Sequence, residues 1–160
     1  MPTRPARVFL HAPQSFHNLC LLARTLEVFG ERQCWLFDPN GLVKERYGKM
    51  RTRELRVVSA GAFEKITWRR VDDAERLLRE HTGRTVATVL APGAVPLERF
   101  EFQPSDLVVF GSESRGLPDE IACAASARLT IPSLGQTQSL NLAVAVGIVL
   151  FEWHRQATCR

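Results

Sequence analysis

The stretch that decides the fold is residues 107–118, Leu-Val-Val-Phe-Gly-Ser-Glu-Ser-Arg-Gly-Leu-Pro. Leu107–Phe110 is an apolar run of strand length, with no polar alternation to mark a solvent face. Gly111 closes it, and Gly116 follows five residues later with Glu113 and Arg115 between them. Glycines at such a place let backbone approach a ligand closely, and they equally suit an ordinary strand-to-helix turn. The segment lacks the Gly-Lys-Ser/Thr ending of a P-loop. It also lacks the Gly-x-Ser-x-Gly of a nucleophile elbow.

On either side of this run, strand and helix patterns alternate. Strands are expected at Ala6–Leu10, Gln33–Asp38, Thr85–Ala91 and Leu129–Ile131, with Leu55–Ser59 a further short candidate. Helices are expected at Asn18–Phe29, Val71–His81 and Ser139–His154. Asn18 reads as the N-cap of the first and Gly30 as its stop; Asp72 and Asp73 open the second. Alternation of this kind predicts an α/β fold with a mostly parallel sheet and helices on both faces, in one domain over residues 1–160. Ligands of such sheets sit beyond the carboxyl ends of the strands. Those ends carry Ala91-Pro92-Gly93, Gly111–Gly116 and Pro132–Ser139.

The last helix is apolar all round. Leu140, Val144, Gly147, Ile148 and Phe151 form one stripe; Leu142, Val146, Val149, Leu150 and Trp153 cover the other side. In a chain of 160 residues the simplest way to bury both is a second subunit, so a homodimer through this helix is expected.

Composition narrows the function classes. The chain is 45% hydrophobic and 24% charged, which excludes disorder. The formal net charge of +4 is a mild pointer to an anionic partner. Lysines are confined to Lys44, Lys49 and Lys65, and arginine supplies the remaining basic residues. The cysteines (Cys20, Cys34, Cys123, Cys159) form no CxxC pair, so a zinc ribbon or redox motif is not expected and no metal is predicted. Their scatter reads as reduced and cytoplasmic. No leader-like apolar region opens the chain, and the run Leu142–Phe151 is about half of the ~20 residues a membrane span requires.

Two other segments carry possible chemistry. Ile131-Pro-Ser-Leu-Gly-Gln-Thr-Gln-Ser-Leu-Asn-Leu142 is a polar loop entering the apolar helix. Ser139 reads as that helix's cap, and Asn141 as a buried amide that requires a specific partner. In the first helix, Arg24 lies off the Leu19-Leu22-Leu26-Phe29 stripe, as a residue on a solvated face does.

Taken together, the three segments resemble the SpoU/TrmH family of RNA ribose 2′-O-methyltransferases, within the SPOUT superfamily. Asn18, Arg24 and Gly30 match its first motif. Gly111, Glu113, Gly116 and Leu117 match the second. Ile131, Pro132, Ser139, Leu140 and Asn141 match the third. The order agrees, and the likeness spans roughly residues 7–156. Cys20 stands where the family usually has Gly, and Ala143 where it often has Ser.

The resemblance implies a C-terminal trefoil knot from about Thr85, against the general rarity of knots. It implies S-adenosylmethionine bound in the knot by Val89, Leu90, Ala91, Gly93, Gly111, Gly116, Ile131, Ser139 and Leu140. It assigns removal of the ribose proton to Arg24, although a guanidinium with a pKa above about 12 is a poor base. The alternative is that Arg24 binds the neighbouring phosphate, which takes part in proton removal. Asn18, Glu113, Ser139 and Asn141 then position Arg24 and the ribose. In the family the first motif acts across a dimer interface.

For RNA contact, the segment Lys44–Arg56 carries a net charge of +4, equal to the formal charge of the whole chain. Arg46, Tyr47, Lys49, Arg51 and Arg53 are its candidates, with Tyr47 able to stack a base, and Arg115 is another phosphate ligand. A chain without extensions resembles the subgroup that methylates the tRNA wobble nucleotide. Ser59-Ala60-Gly61-Ala62 looks more like the tRNA-guanosine or ribosomal RNA enzymes. tRNA is the favoured substrate. The alternatives are ribosomal RNA, a family member that binds but no longer methylates, and an unrelated nucleotide-binding α/β protein.

Overall fold

A computed structural model describes residues 7–43, 52–136 and 139–158, with only the backbone of 52–54. Of the expected RNA contacts, Arg46, Tyr47, Lys49 and Arg51 lie outside these residues, as does the side chain of Arg53.

The strands are β1 Val8–His11, β2 Gln33–Phe37, β3 Thr67–Val71, β4 Thr85–Thr88, β5 Val95–Pro96, β6 Leu107–Phe110 and β7 Ala127–Thr130. The helices are α1 Phe16–Val28, α2 Thr52–Ser59, α3 Ala74–Glu80, α4 Asp119–Ala124 and α5 Leu142–Thr158. The strands join one sheet in the order β3-β2-β1-β6-β4-β7-β5, and every pairing is parallel. The expected α/β class with helices on both faces is therefore what the chain forms. β6 is buried throughout and lies between β1 and β4, as its uniformly apolar run requires.

Two cores flank the sheet. On one face Leu10, Leu36 and Phe110 pack with Leu19, Leu22 and Leu26 of α1, Leu55 of α2, and Val146, Val149 and Leu150 of α5. On the other face Phe9, Leu107 and Val109 pack with Ala74 and Leu78 of α3 and Ile121 of α4. Because all strands are parallel, their carboxyl ends share one edge of the sheet. The loops 12–15, 89–94 and 111–118 and the segment 131–136 all leave from it.

Several expectations need correction. Leu55–Ser59 is helix, not strand: Leu55 and Ser59 are buried one turn apart, and the Ser59 hydroxyl donates to the Leu55 carbonyl at 2.7 Å. The β-branched Val57 that favoured strand is 72% exposed. Asn18 is not the cap of α1; Ser15 is, its side chain accepting from the Asn18 N–H. Ser139 does not cap the last helix. That helix starts at Leu142, and the Asn141 side chain accepts from the Ala143 N–H at 2.9 Å. The edge strand β3, the two-residue β5 and the short α4 have no counterpart in the sequence-based expectations.

Candidate active site

The three motif segments meet at the carboxyl edge of the sheet. Glu113 follows β6, and its carboxylate reaches across to the start of α1. One oxygen accepts from the Gln14 N–H at 2.8 Å. The other accepts from the Ser15 N–H at 3.2 Å and from the Asn18 side-chain amide at 2.9 Å. The Asn18 carbonyl oxygen in turn accepts from the Asn141 amide at 3.0 Å. Asn141 then closes the chain of bonds on the N-terminus of α5 through Ala143. One polar relay thus ties β6, α1 and α5 together across 123 residues of sequence.

Asn18 can do this because Ser15 has taken over the capping. An amide offers a donor and an acceptor, so Asn18 joins a carboxylate on one side to a second amide on the other. Asn141 has the specific partner expected of it, although it is exposed and not buried. Ser139 and Leu140 precede α5 and are exposed, and Ser139 makes no hydrogen bond to a described residue.

The loop that delivers Glu113 is a tight turn. Ser112 and Gly116 exchange backbone hydrogen bonds at 3.0 and 2.9 Å. A Cβ on Gly111 would lie 2.0 Å from the Gly116 carbonyl carbon. Gly116 has φ of +68°, a conformation that suits glycine. Both glycines therefore serve the closure of the loop itself. Arg115, at its tip, is exposed.

Arg24 lies on α1 in an exposed position and makes no hydrogen bond to a described residue. It lines a groove between α1 and α5 together with Asn141, Leu21, Val28, Val144 and Phe151. The two helices approach closely here, since a Cβ on Gly147 would sit 3.3 Å from the Thr25 methyl group. Of the two stripes that a second subunit was expected to bury, one is uncovered: Val144 is 49% exposed, Ile148 36% and Phe151 61%. The opposite stripe, Leu142, Val146, Val149, Leu150 and Trp153, is buried in this chain alone.

The expected cofactor residues share the same edge. Val89 continues past β4, its N–H donating to the Leu129 carbonyl at 2.9 Å. Leu90 and Ala91 are exposed, and Gly93 has φ of +82° within the following turn. Ile131 is half-buried just beyond β7. Leu90, Leu134 and Leu140 turn apolar side chains to solvent on these loops. Uncovered leucines beside backbone polar groups at parallel strand ends fit a ligand with a flat apolar ring and hydrogen-bonding edges. Among the described residues, no group of three or more His, Cys, Asp or Glu could hold a metal ion.

Sequence reasoning missed Ser15 and the backbone of Gln14 as partners of Glu113. A capping serine three residues ahead of Asn18 was the available signal. It also missed His11 at the end of β1. This ring is 8% exposed and stacked on Phe37 at 4.9 Å, and burial pushes its pKa down.

The fold and this relay define a class, and comparison with known proteins supplies its family. The chain belongs to the SpoU rRNA Methylase family, whose model matches residues 5–151. It is 30% identical, over 92% of its length and 71% of the relative's, to a tRNA (guanosine(18)-2′-O)-methyltransferase of Thermus thermophilus. It also resembles a solved structure concerned with the 2-OH methylation of C/U34 on tRNA. That match has a TM-score of 0.79 and 31% identity, covering 96% of each chain. An AdoMet-bound rRNA methyltransferase from Sinorhizobium meliloti matches with a TM-score of 0.76 and 30% identity, over 92% of this chain and 55% of that one.

Proposed function

We propose that this chain transfers a methyl group from S-adenosylmethionine to a ribose 2′-hydroxyl of RNA, with tRNA the favoured substrate. The observation that carries this reading is the relay Glu113–Asn18–Asn141, which unites all three motif segments beside Arg24 in a chain of this family. The tRNA preference draws on the guanosine(18) and C/U34 relatives, the second of which matches this chain over nearly its whole length.

Val89, Leu90, Ala91, Gly93, Gly111, Gly116, Ile131, Ser139 and Leu140 would hold the cofactor, through backbone polar groups and the exposed apolar side chains of these loops. When bound, the cofactor supplies an electrophilic methyl on a sulfonium. The chain's own work is to hold the ribose 2′-oxygen in line with that methyl and to remove its proton as the new O–C bond forms. A guanidinium does not deprotonate readily. Arg24, with its donors open, therefore acts best by holding the phosphate beside the target ribose, and that phosphate helps to remove the proton. Asn18 and Asn141, locked by Glu113, fix the edge against which the ribose sits.

The same reading takes the whole chain as one knotted domain, threaded from about Thr85, and as a homodimer in the cytoplasm. The second copy would cover the groove between α1 and α5, where Val28, Val144, Ile148 and Phe151 are uncovered. Arg24 in that groove would then serve the partner's cofactor. Free, buried thiols at Cys20 and Cys34 suit a reducing compartment.

The test is transfer of labelled methyl to total tRNA and, separately, to ribosomal RNA, with the modified nucleotide mapped. Label should appear on a tRNA ribose and fall at least about 100-fold in Arg24→Ala, the scale of a lost proton-transfer or positioning contribution. Label on ribosomal RNA alone would move the substrate. Cofactor binding without transfer to either RNA would favour a binding-only protein. No cofactor binding would overturn the reading.

A further inference from the structure

Several arginines of this chain are spent on close acidic neighbours. Arg76, Arg79, Arg84 and Arg155 each contact a carboxylate at 2.7 to 3.1 Å. Arg70 is different. It stands on the edge strand β3, in register with Leu36 of β2, which pairs with Leu10 of β1, which pairs with Phe110 of β6. Leu36, Leu10 and Phe110 all belong to the core beneath α1, α2 and α5. Residues in one register row share a face of the sheet, so Arg70 projects on the α1 side. At about 4.8 Å per strand, its backbone lies roughly 10 Å from Leu10 and 14 Å from Phe110. Phe110 comes three residues before Glu113.

The partner of Arg70 is Asp38, at 3.8 Å; the side chains are 47% and 1% exposed respectively. Both Asp38 oxygens already accept backbone N–H groups, from Leu42 at 2.8 Å and Val43 at 3.0 Å. The contact is therefore charge against charge without a hydrogen bond. No guanidinium N–H of Arg70 is committed to a hydrogen bond with a described residue. A buried carboxylate holds this cation in place while its donor fork, half in solvent, stays open among the described residues. That is how an arginine is prepared for a phosphate, which it grips with two parallel bonds. Neutralising Asp38 alone would favour the closer, hydrogen-bonded pairing that Arg84 makes with buried Asp106. The turn that Asp38 holds also leads directly, in sequence, into the basic run beginning at Lys44.

We propose that Arg70 binds a backbone phosphate of the RNA, flanking the target nucleotide, at the outer edge of the sheet. This rests on the reading of the chain as an RNA methyltransferase. The test measures binding of unfractionated tRNA to the full chain with S-adenosylhomocysteine present, by fluorescence anisotropy between about 50 and 200 mM salt. Arg70→Ala should weaken binding roughly tenfold and flatten the slope of log affinity against log salt by about 0.7–0.9, one phosphate's worth. Arg70→Lys should keep the slope. Arg79→Ala, which removes a cation paired with Glu75 on α3, should change neither.

In methyl transfer, Arg70→Ala should raise KM for RNA and leave kcat at saturating RNA unchanged. An unchanged salt slope in Arg70→Ala overturns the proposal, whether or not kcat and Tm fall with it. Failure of the wild type to bind either tRNA or, in the same assay, ribosomal RNA overturns it too. A wild type that binds tRNA but transfers no methyl group overturns the reaction reading alone, and the slopes still decide Arg70.

Discussion

Glu113 shows how much one side chain organises here. An ionised carboxylate only accepts, and three donors converge on it: two backbone N–H groups ahead of α1 and the Asn18 amide. This fixes the Asn18 amide with its oxygen toward Asn141, because its nitrogen is committed to Glu113. The sequence made Glu113, Asn18 and Asn141 candidates through family resemblance, but not Gln14, Ser15 or any of the mutual bonds, since tertiary hydrogen bonding leaves no periodic trace. His11 left no signal at all, being one more residue after an apolar run. Its consequence is measurable. Burial lowers the pKa of His11 below its ordinary 6.5, and its Nδ1 is buried without a hydrogen-bond partner among the described residues. Between that folded value and about 6.5 the unfolded chain binds a proton that the folded chain does not, so stability rises with pH. The contribution is complete above about 6.5 and is lost progressively as pH falls through this window. Tm measured from pH 7.5 down to pH 5 should therefore fall less steeply in His11→Phe than in the wild type. Parallel curves for the two would show that another group governs the acid limb.

At the scale of elements, legibility followed burial. β6, buried on every residue, was readable from four apolar letters, and α1 from its leucine spacing. β3 was not, because Thr-Trp-Arg-Arg-Val lies at the sheet edge with mostly exposed or half-buried side chains and so lacks an apolar signature. α2 was misread because its length matches a strand and its valines favour one, while the deciding feature is that Leu55 packs against the core. For the loop after β6 the sequence left two reasons for its glycines open, approach to a ligand and a tight turn, and the packing gives weight to the turn. Gly111 is there because the Gly116 and Leu117 backbone occupies the space of its missing Cβ, at 2.0 to 2.3 Å. No backbone atom of a tight turn yields by more than an ångström without the turn opening. Gly111→Ala should thus displace Glu113 and cost at least about 2 kcal/mol, the range of strained and overpacked positions. Urea titration should show the lowered midpoint, and methyl transfer should fall with it. A variant with unchanged stability and activity would mean that the loop relaxes freely and that Glu113 does not depend on its shape.

At the scale of the whole molecule, the question is what covers α5. Its two stripes were legible as apolar from the sequence, and the fold divides them: one against the sheet, the other in the groove with Arg24. Val28 adds an apolar side chain, 75% exposed, from the facing helix. A guanidinium set among uncovered apolar residues is a poor arrangement for an isolated chain. It is a sound one if a second copy closes over the groove, excluding water and bringing Arg24 to the partner's strand-end loops. Phe151 separates these states, because it is 61% exposed in the single chain and so contributes little to its folding. Phe151→Asp should leave the unfolding free energy of the monomer within about 0.5 kcal/mol, as exposed substitutions do. In a closed dimer the same carboxylate would be buried without a partner, at a cost of several kcal/mol. Sedimentation equilibrium should therefore give a dimer mass for the wild type and a monomer mass for Phe151→Asp. Methyl transfer should be lost in the variant while its monomer remains folded by circular dichroism. A wild type that sediments as a monomer, or a variant that stays dimeric, would show that this face is not where two copies meet, and Arg24 would have to act within its own chain.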